Sequence, residues 1–147
     1  MESISFVSQT SFRLDNPDNI KNWLFSCVRQ LQYEPKQISF AFMDDEALLD
    51  INKQFLAHDY YTDVITFDYT VGTSLSCDIA ISIDRVQDNA TQQNTPFEEE
   101  LRRVMIHGVL HCCGFSDKSE AAKLEIRTKE NECLDMFHVE PKTQKHV

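Results

Sequence analysis

His107-Gly108-Val109-Leu110-His111-Cys112-Cys113-Gly114-Phe115-Ser116-Asp117 places two histidines four residues apart, then a glycine, then an aspartate. On a helix, side chains four apart stand one turn above each other, so both imidazoles can reach one ion. Gly114 permits a sharp backbone reversal at the helix end, and Asp117 can then swing back to offer a carboxylate oxygen to the same ion. Three protein ligands leave one tetrahedral position open, which is the arrangement of a catalytic zinc and not of a closed structural one. Ile106, Val109, Leu110, Cys112 and Cys113 make the last turns apolar nearly all round, where two unpaired histidines would be costly. A bare His-x-x-x-His pair is more often two core histidines satisfied by carbonyls; Gly114 and Asp117 at these offsets tip the reading to a metal site formed by His107, His111 and Asp117.

The spacing is also that of the metzincin proteases, His-Glu-x-x-His-x-x-Gly-x-x-His, with Asp117 in place of the last histidine and Gly108 in place of the glutamate. That glutamate is the general base of peptide hydrolysis, so a peptidase here would have to recruit a glutamate from elsewhere.

Outward from this segment, Thr95, Pro96 and Glu98 form a capping-box start for a long helix to Cys113, with Glu98 reaching back to the Thr95 amide. Ser119 caps a last helix through Leu124, Ile126, Leu134 and Phe137, and 140–147 reads as a loose tail after Pro141. Upstream, Asp63 to Tyr69 and Cys77 to Ile83 fit two antiparallel strands around Gly72, and Asp84 to Asn94 fits a short helix followed by a loop. The N-terminal part reads strand (Ser3 to Val7), helix (Asn16 as cap, Pro17 first, to about Gln32), strand (Gln37 to Met43, after a break at Pro35), helix (capped by Asp44, carrying Leu48, Ile51 and Phe55).

At 147 residues and 41% hydrophobic content, the expectation is one domain, 1–147, with a core that needs no disulfide staples. The N-terminus carries no basic stretch followed by an apolar run, and no segment is long enough to cross a bilayer, so a soluble, cytoplasmic protein is expected. Five cysteines without a Cys-x-x-Cys suggest reduced, mostly buried thiols. A net charge of −10 weighs against broad attraction to nucleic acid, so any RNA must find a local basic patch. Arg102, Arg103, Lys118, Lys123, Arg127 and Lys129 lie near the site in sequence, with Lys142 and Lys145 in the tail; pairing with helical Glu and Asp is the commoner explanation of such charges.

The run Val104-Met105-Ile106-His107-Gly108-Val109-Leu110-His111-Cys112-Cys113-Gly114-Phe115 resembles the signature of the YbeY family of bacterial endoribonucleases. Ile51-Asn52 through Thr62-Asp63-Val64-Ile65-Thr66-Phe67 is similar to a second block of that family. Asp78-Ile79-Ala80-Ile81-Ser82, with Asp84-Arg85-Val86 and Asn89-Ala90, is similar to a third. The resemblance implies an α+β fold, a small mixed β-sheet packed with helices and a zincin-like metal site on a central helix. It implies a zinc-dependent endoribonuclease that prefers single strands, matures the 3′ end of 16S ribosomal RNA and serves ribosome quality control. Its partners would be ribosomal RNA and the ribosome or its proteins, not DNA or a membrane. Carried over by position, one Zn2+ per chain is held by His107, His111 and Asp117, where most members have a third histidine at Asp117; nickel and manganese stand behind zinc. The family usually has a cleft arginine where this chain has Leu56, followed by Ala57 and His58. His58 is open to two readings, a cationic or proton-transferring substitute or a loop histidine without a role. Asp63 and Asp78 are open between general base and turn or strand-end roles, and neither is assigned. A non-enzymatic assembly factor with a structural metal is the alternative, favoured by the acidic balance and Leu56; a metallopeptidase-like hydrolase is another.

Overall fold

A computed structural model of the chain describes the backbone of residues 3–144 and the side chains as far as Phe137. Its elements are β1 (Ile4–Ser8), α1 (Pro17–Gln30), β2 (Glu34–Met43), α2 (Asp45–Leu56), β3 (Val64–Asp68), β4 (Ser74–Ser82), α3 (Ile83–Gln93), α4 (Phe97–Cys112) and α5 (Glu120–Gln144). The strands form one sheet in the order β1-β2-β4-β3. β1, β2 and β4 run parallel, and β3 lies antiparallel to β4 across a tight turn at Gly72, whose φ of 60° favours a residue without Cβ. This is the expected α+β class with a small mixed sheet.

Alternation along β2 and β4 sends Ile38, Phe40, Phe42, Cys77, Ile79 and Ile81 to one face. There they join Trp23, Leu24, Cys27 and Val28 of α1 and Val104, Met105 and Val109 of α4 in one apolar cluster. Complete burial of such side chains contributes about 1.5–3 kcal/mol each. The opposite face is thinner, with Met43, Ile65 and Ala80 meeting Leu48 of α2. Two long-range hydrogen bonds tie the layers, from Trp23 Nε1 to the Cys133 carbonyl at 2.7 Å and from Tyr33 Oη to the Cys113 carbonyl at 3.1 Å. All five cysteines are free and buried.

α4 touches α3, α5, β3 and β4, and Gly108 is why it lies so close to the sheet. A Cβ at 108 would stand 3.0 Å from Ile79 Cγ2 and 3.2 Å from Thr66 Cγ2. The same contact leaves no space for the glutamate that a metzincin carries at this position.

Several local expectations are corrected. The capping box at Thr95 does not form: the Thr95 amide donates to the Ala90 carbonyl at 3.0 Å to close α3, and Pro96 takes the cap position with no side-chain hydrogen bond. Glu98 therefore has no free amide to reach, and Thr95 Oγ1 is buried with no partner among the described residues. Asp84 to Asn94 is almost all helix, because Ser82 caps it through Arg85 N at 3.1 Å and Val86 and Ala90 bury one turn apart. Pro35 does not delay β2, which begins at Glu34 and absorbs the proline in a register irregularity between Pro35 and Gln37. Asn16 does hold the cap position with Pro17 first, as expected, but in a left-handed conformation (φ 51°) it offers its carbonyl and not its side chain to the first turn. Phe55, counted with the apolar face of α2, is 62% exposed. Asp44 caps α2 through Ala47 N at 2.9 Å and Ser119 caps α5 through Ala122 N at 3.1 Å, both as expected. Of the expected tail, α5 is helix to Gln144, while 145–147 lie outside the described residues.

Gly108→Val should lower stability by about 1–3 kcal/mol, because overfilling a tight contact forces neighbours off their rotamers. Urea unfolding of the two proteins checks this, and an unchanged midpoint would mean that α4 is not held against Ile79 and Thr66.

Candidate metal centre

The end of α4 is built to bring Asp117 back over the helix. Cys113 N donates to the Val109 and Leu110 carbonyls, Gly114 N to the His111 carbonyl at 3.1 Å and Phe115 N to the Leu110 carbonyl at 3.0 Å. These bonds satisfy the terminal carbonyls while Gly114, at φ 95°, reverses the chain. The connection to α5 then carries Asp117 beside the histidines.

His107 Nε2 and His111 Nε2 are 3.0 Å apart, and Asp117 Oδ2 is 3.9 Å from the first and 3.6 Å from the second. For a tetrahedral zinc at its usual bond lengths of about 2.0–2.1 Å, donor atoms stand roughly 3.3 Å from one another, so this triangle fits one ion with small adjustments. The donor set can hold a metal ion, all three ligand atoms lying within 4.8 Å of one another.

The hydrogen bond to Glu130 orients His107 for the same use of the site. Glu130 of α5 has a side chain only 5% exposed, yet it faces His107 Nδ1 at 2.6 Å and accepts from Arg103 Nη1 at 3.0 Å. Burial alone would raise its pKa, but the His107 and Arg103 hydrogen bonds outweigh burial and hold the carboxyl below its usual range. An ionised Glu130 can only accept, so the neutral His107 ring carries its proton on Nδ1 and turns the Nε2 lone pair toward His111 and Asp117. For His107 itself, burial pulls the pKa down, and the Glu130 hydrogen bond and charge bring it above the ordinary value. Burial and then the neighbouring His107 push His111 down, keeping that ring neutral near pH 7. Two ring nitrogens at 3.0 Å with lone pairs converging need a proton or a cation between them.

Two clefts meet at this centre and share His107, Asp117, Asp63 and Val64. The first, about 370 Å³, runs between α3, α4 and α5 and is lined by Arg103, Lys123 and Arg127 together with Glu100, Asn89 and Glu130. Burial pushes the Glu100 carboxyl up. The second, about 340 Å³, opens toward the loop after α2 and is lined by Asn52, Leu56, His58, Tyr60, Thr62 and His111 among others, with no lysine or arginine.

Of the other residues singled out in the sequence, Leu56 and His58 do line the second cleft. Asp63 lines both and accepts from Asn89 Nδ2 at 3.1 Å, whereas Asp78 is exposed on β4 and lines neither. Arg102 faces away, its guanidinium 3.9 Å from the Phe137 ring centroid. Lys123 and Lys129 are paired with Glu120 and Glu132, so helical pairing accounts for part of the basic set; the side chains of Lys142 and Lys145 lie outside the described residues. Glu130 was not anticipated. Its signal is an acid in the buried stripe of α5, four residues from Ile126 and from Leu134.

Fold and donor set define a class, α+β proteins with a cation-ready His-x-x-x-His helix set against a mixed sheet. A family model described as endoribonuclease YbeY matches residues 6–138. An endoribonuclease YbeY from Flavobacterium johnsoniae is 47% identical over 93% of this chain and 99% of its own, and one from Cytophaga hutchinsonii is 41% identical over 89% and 92%. The solution structure of TM1509 from Thermotoga maritima shares the fold, with a TM-score of 0.63 at 23% identity over 91% of this chain and 88% of that one. The chain belongs to the YbeY endoribonuclease family.

The Glu130–His107 contact predicts a pH window in chelator-treated protein. Glu130 is depressed on folding, so its contribution is complete above the unfolded value of about 4.3 and is lost as pH falls through the lower folded one. His107 is raised, so its contribution is complete below about 6.5 and is lost as pH rises through the higher folded value. Thermal unfolding from pH 3 to pH 9 should show this dome, and Glu130→Gln should flatten both flanks; equal curves would refute the assignment.

Proposed function

We propose that this chain is a zinc-dependent endoribonuclease that cuts single-stranded RNA in late 3′-end maturation of 16S ribosomal RNA and in ribosome quality control. The observation that carries the reading is the convergence of His107, His111 and Asp117 where two clefts meet, in a chain whose relatives are named endoribonucleases. Residues 1–147 act as one domain, in the cytoplasm, on ribosomal RNA or the ribosome and not on DNA. No helix of the described residues is long and apolar enough to cross a membrane.

Zinc, when bound, supplies Lewis-acid polarisation of a phosphoryl oxygen. His107 and His111 offer ring nitrogens, and Asp117 offers a carboxylate oxygen in place of a third imidazole. Glu130 fixes the His107 ring by holding its Nδ1 proton, while Arg103 shares that carboxylate and keeps it ionised. Arg103, Lys123 and Arg127 put positive charge beside the centre, which supports phosphate binding there despite the net charge of −10. Asp63 keeps acceptor capacity beyond its bond from Asn89 and can receive a hydroxyl proton of the substrate. The peptidase alternative loses ground because the side chain at 108 would meet the sheet.

Cleavage of a labelled 16S precursor by ribonuclease-free protein tests the reading. Cutting should fall at least about 100-fold on chelation and in His111→Ala, and zinc should restore it to the wild type alone. Equal cutting in every sample would betray a contaminant and sink the metal-dependent reading, and a wild type that holds zinc yet never cuts would favour the assembly-factor alternative.

A further inference from the structure

We infer that the second cleft binds an unpaired nucleobase of the RNA face-on against the Tyr60–His58 ring pair, so that this chain holds its substrate there by base stacking and not by a phosphate contact; this rests on the nuclease reading above.

The loop that carries the pair is pinned from below. Buried Asn52 donates from Nδ2 to the Tyr60 carbonyl at 2.8 Å and accepts at its own carbonyl from His58 N at 3.1 Å, while Ala57 turns the chain at φ 58°. On this base the Tyr60 and His58 rings stack at 5.0 Å with an interplanar angle of 20°, and Tyr60 Oη lies 2.9 Å from His58 Nδ1. Each ring thus spends one face on the other, and Tyr60 remains 55% exposed. The neighbouring aromatics are committed elsewhere: Tyr61 Oη is bound to Glu46 at 2.6 Å with its ring under Arg85, and Phe55 packs edge-to-face with Phe67. Neither of these lines the cleft shared with His107, His111 and Asp117, whereas Tyr60 and His58 both do.

Charge decides what sort of group the cleft accepts. Its lining holds Asp63 and Asp117 but no lysine or arginine, and Leu56 adds an apolar wall. Apart from the ion that His107, His111 and Asp117 would hold, a phosphate lying toward Tyr60 finds no lysine or arginine, whereas a neutral heteroaromatic ring meets a π-surface and an aliphatic side chain, the usual platform for unpaired bases. Arginine and lysine sit across the centre in the first cleft, so a strand with its sugar–phosphate chain toward Arg127 and one base turned toward Tyr60 satisfies both.

The test is binding of a single-stranded octaribonucleotide to the zinc-loaded full chain, with an abasic residue scanned through each position and with a duplex of the same sequence as control. Tyr60→Leu should weaken single-strand binding about tenfold and Tyr60→Phe by no more than about twofold, in proteins with unchanged unfolding temperature. At one position the abasic substitution should cost the wild type about tenfold and cost Tyr60→Leu nothing, which is the signature of one base on one ring. A wild type that binds and cuts RNA while abasic and Tyr60→Leu losses simply add would overturn the stacking inference and leave the nuclease reading intact. A wild type that binds no RNA would overturn both.

Discussion

Everything at the centre depends on how near α4 can come to the sheet. The helix has to be core and chemistry at once: Val104, Met105, Val109 and Leu110 are fully or almost fully buried, yet His107 and His111 must reach an opening. Gly108 resolves the conflict by giving the sheet-facing side of the helix no side chain at the point where Ile79 and Thr66 rise. The two histidines, one before and three after it, then face β3 and the clefts. A larger residue would lift the helix and carry both imidazoles away from Asp117, whose position is set separately by the Gly114 reversal. The fold and the site are therefore parts of a single packing solution.

The second dependence is electrostatic. A carboxylate as buried as Glu130 is costly unless paired, and it is paired with His107 and Arg103, with Arg127 Nη1 also 3.5 Å away. Breaking such a network by removing one member leaves charges stranded, so it over-determines the geometry of α4 against α5. Its chemical effect is to choose one tautomer of His107, which is a requirement for any cation at Nε2.

How far the sequence reveals this depends on how local each rule is. The His107–His111 pair, the Gly114 reversal and the caps at Asp44 and Ser119 were legible because each is settled within a few residues by helix geometry. The antiparallel β3–β4 pair was legible for the same reason, through Gly72. Glu130 was not, because it lies thirteen residues beyond Asp117 and meets His107 only when α5 folds back along α4. The Thr95 capping box failed on a competition between helices: α3 is longer than its polar sequence suggests, and its closing bond takes the Thr95 amide first. With only Val86 and Ala90 buried, α3 carries a thin apolar stripe that periodicity alone does not extend to eleven residues.

Asp117 and Leu56 act in the same direction on the charge of the centre. Under the proposed function, a carboxylate ligand leaves a bound zinc one unit less positive than three histidines would, and Leu56 brings no charge to a second cleft that holds no lysine or arginine. Arg103 and Arg127 across the centre share the charge of Glu130, so they compensate only in part. On a chain of net charge −10, long-range attraction of RNA is then weak, and recognition has to come from short-range contacts. Base–ring contact is such a term: it is insensitive to salt compared with phosphate neutralisation, tolerates any base and requires the base to be unpaired. Under the same proposal, a preference for single strands would follow from this reliance on base–ring contact, since a paired base has no free face to offer the exposed ring at Tyr60.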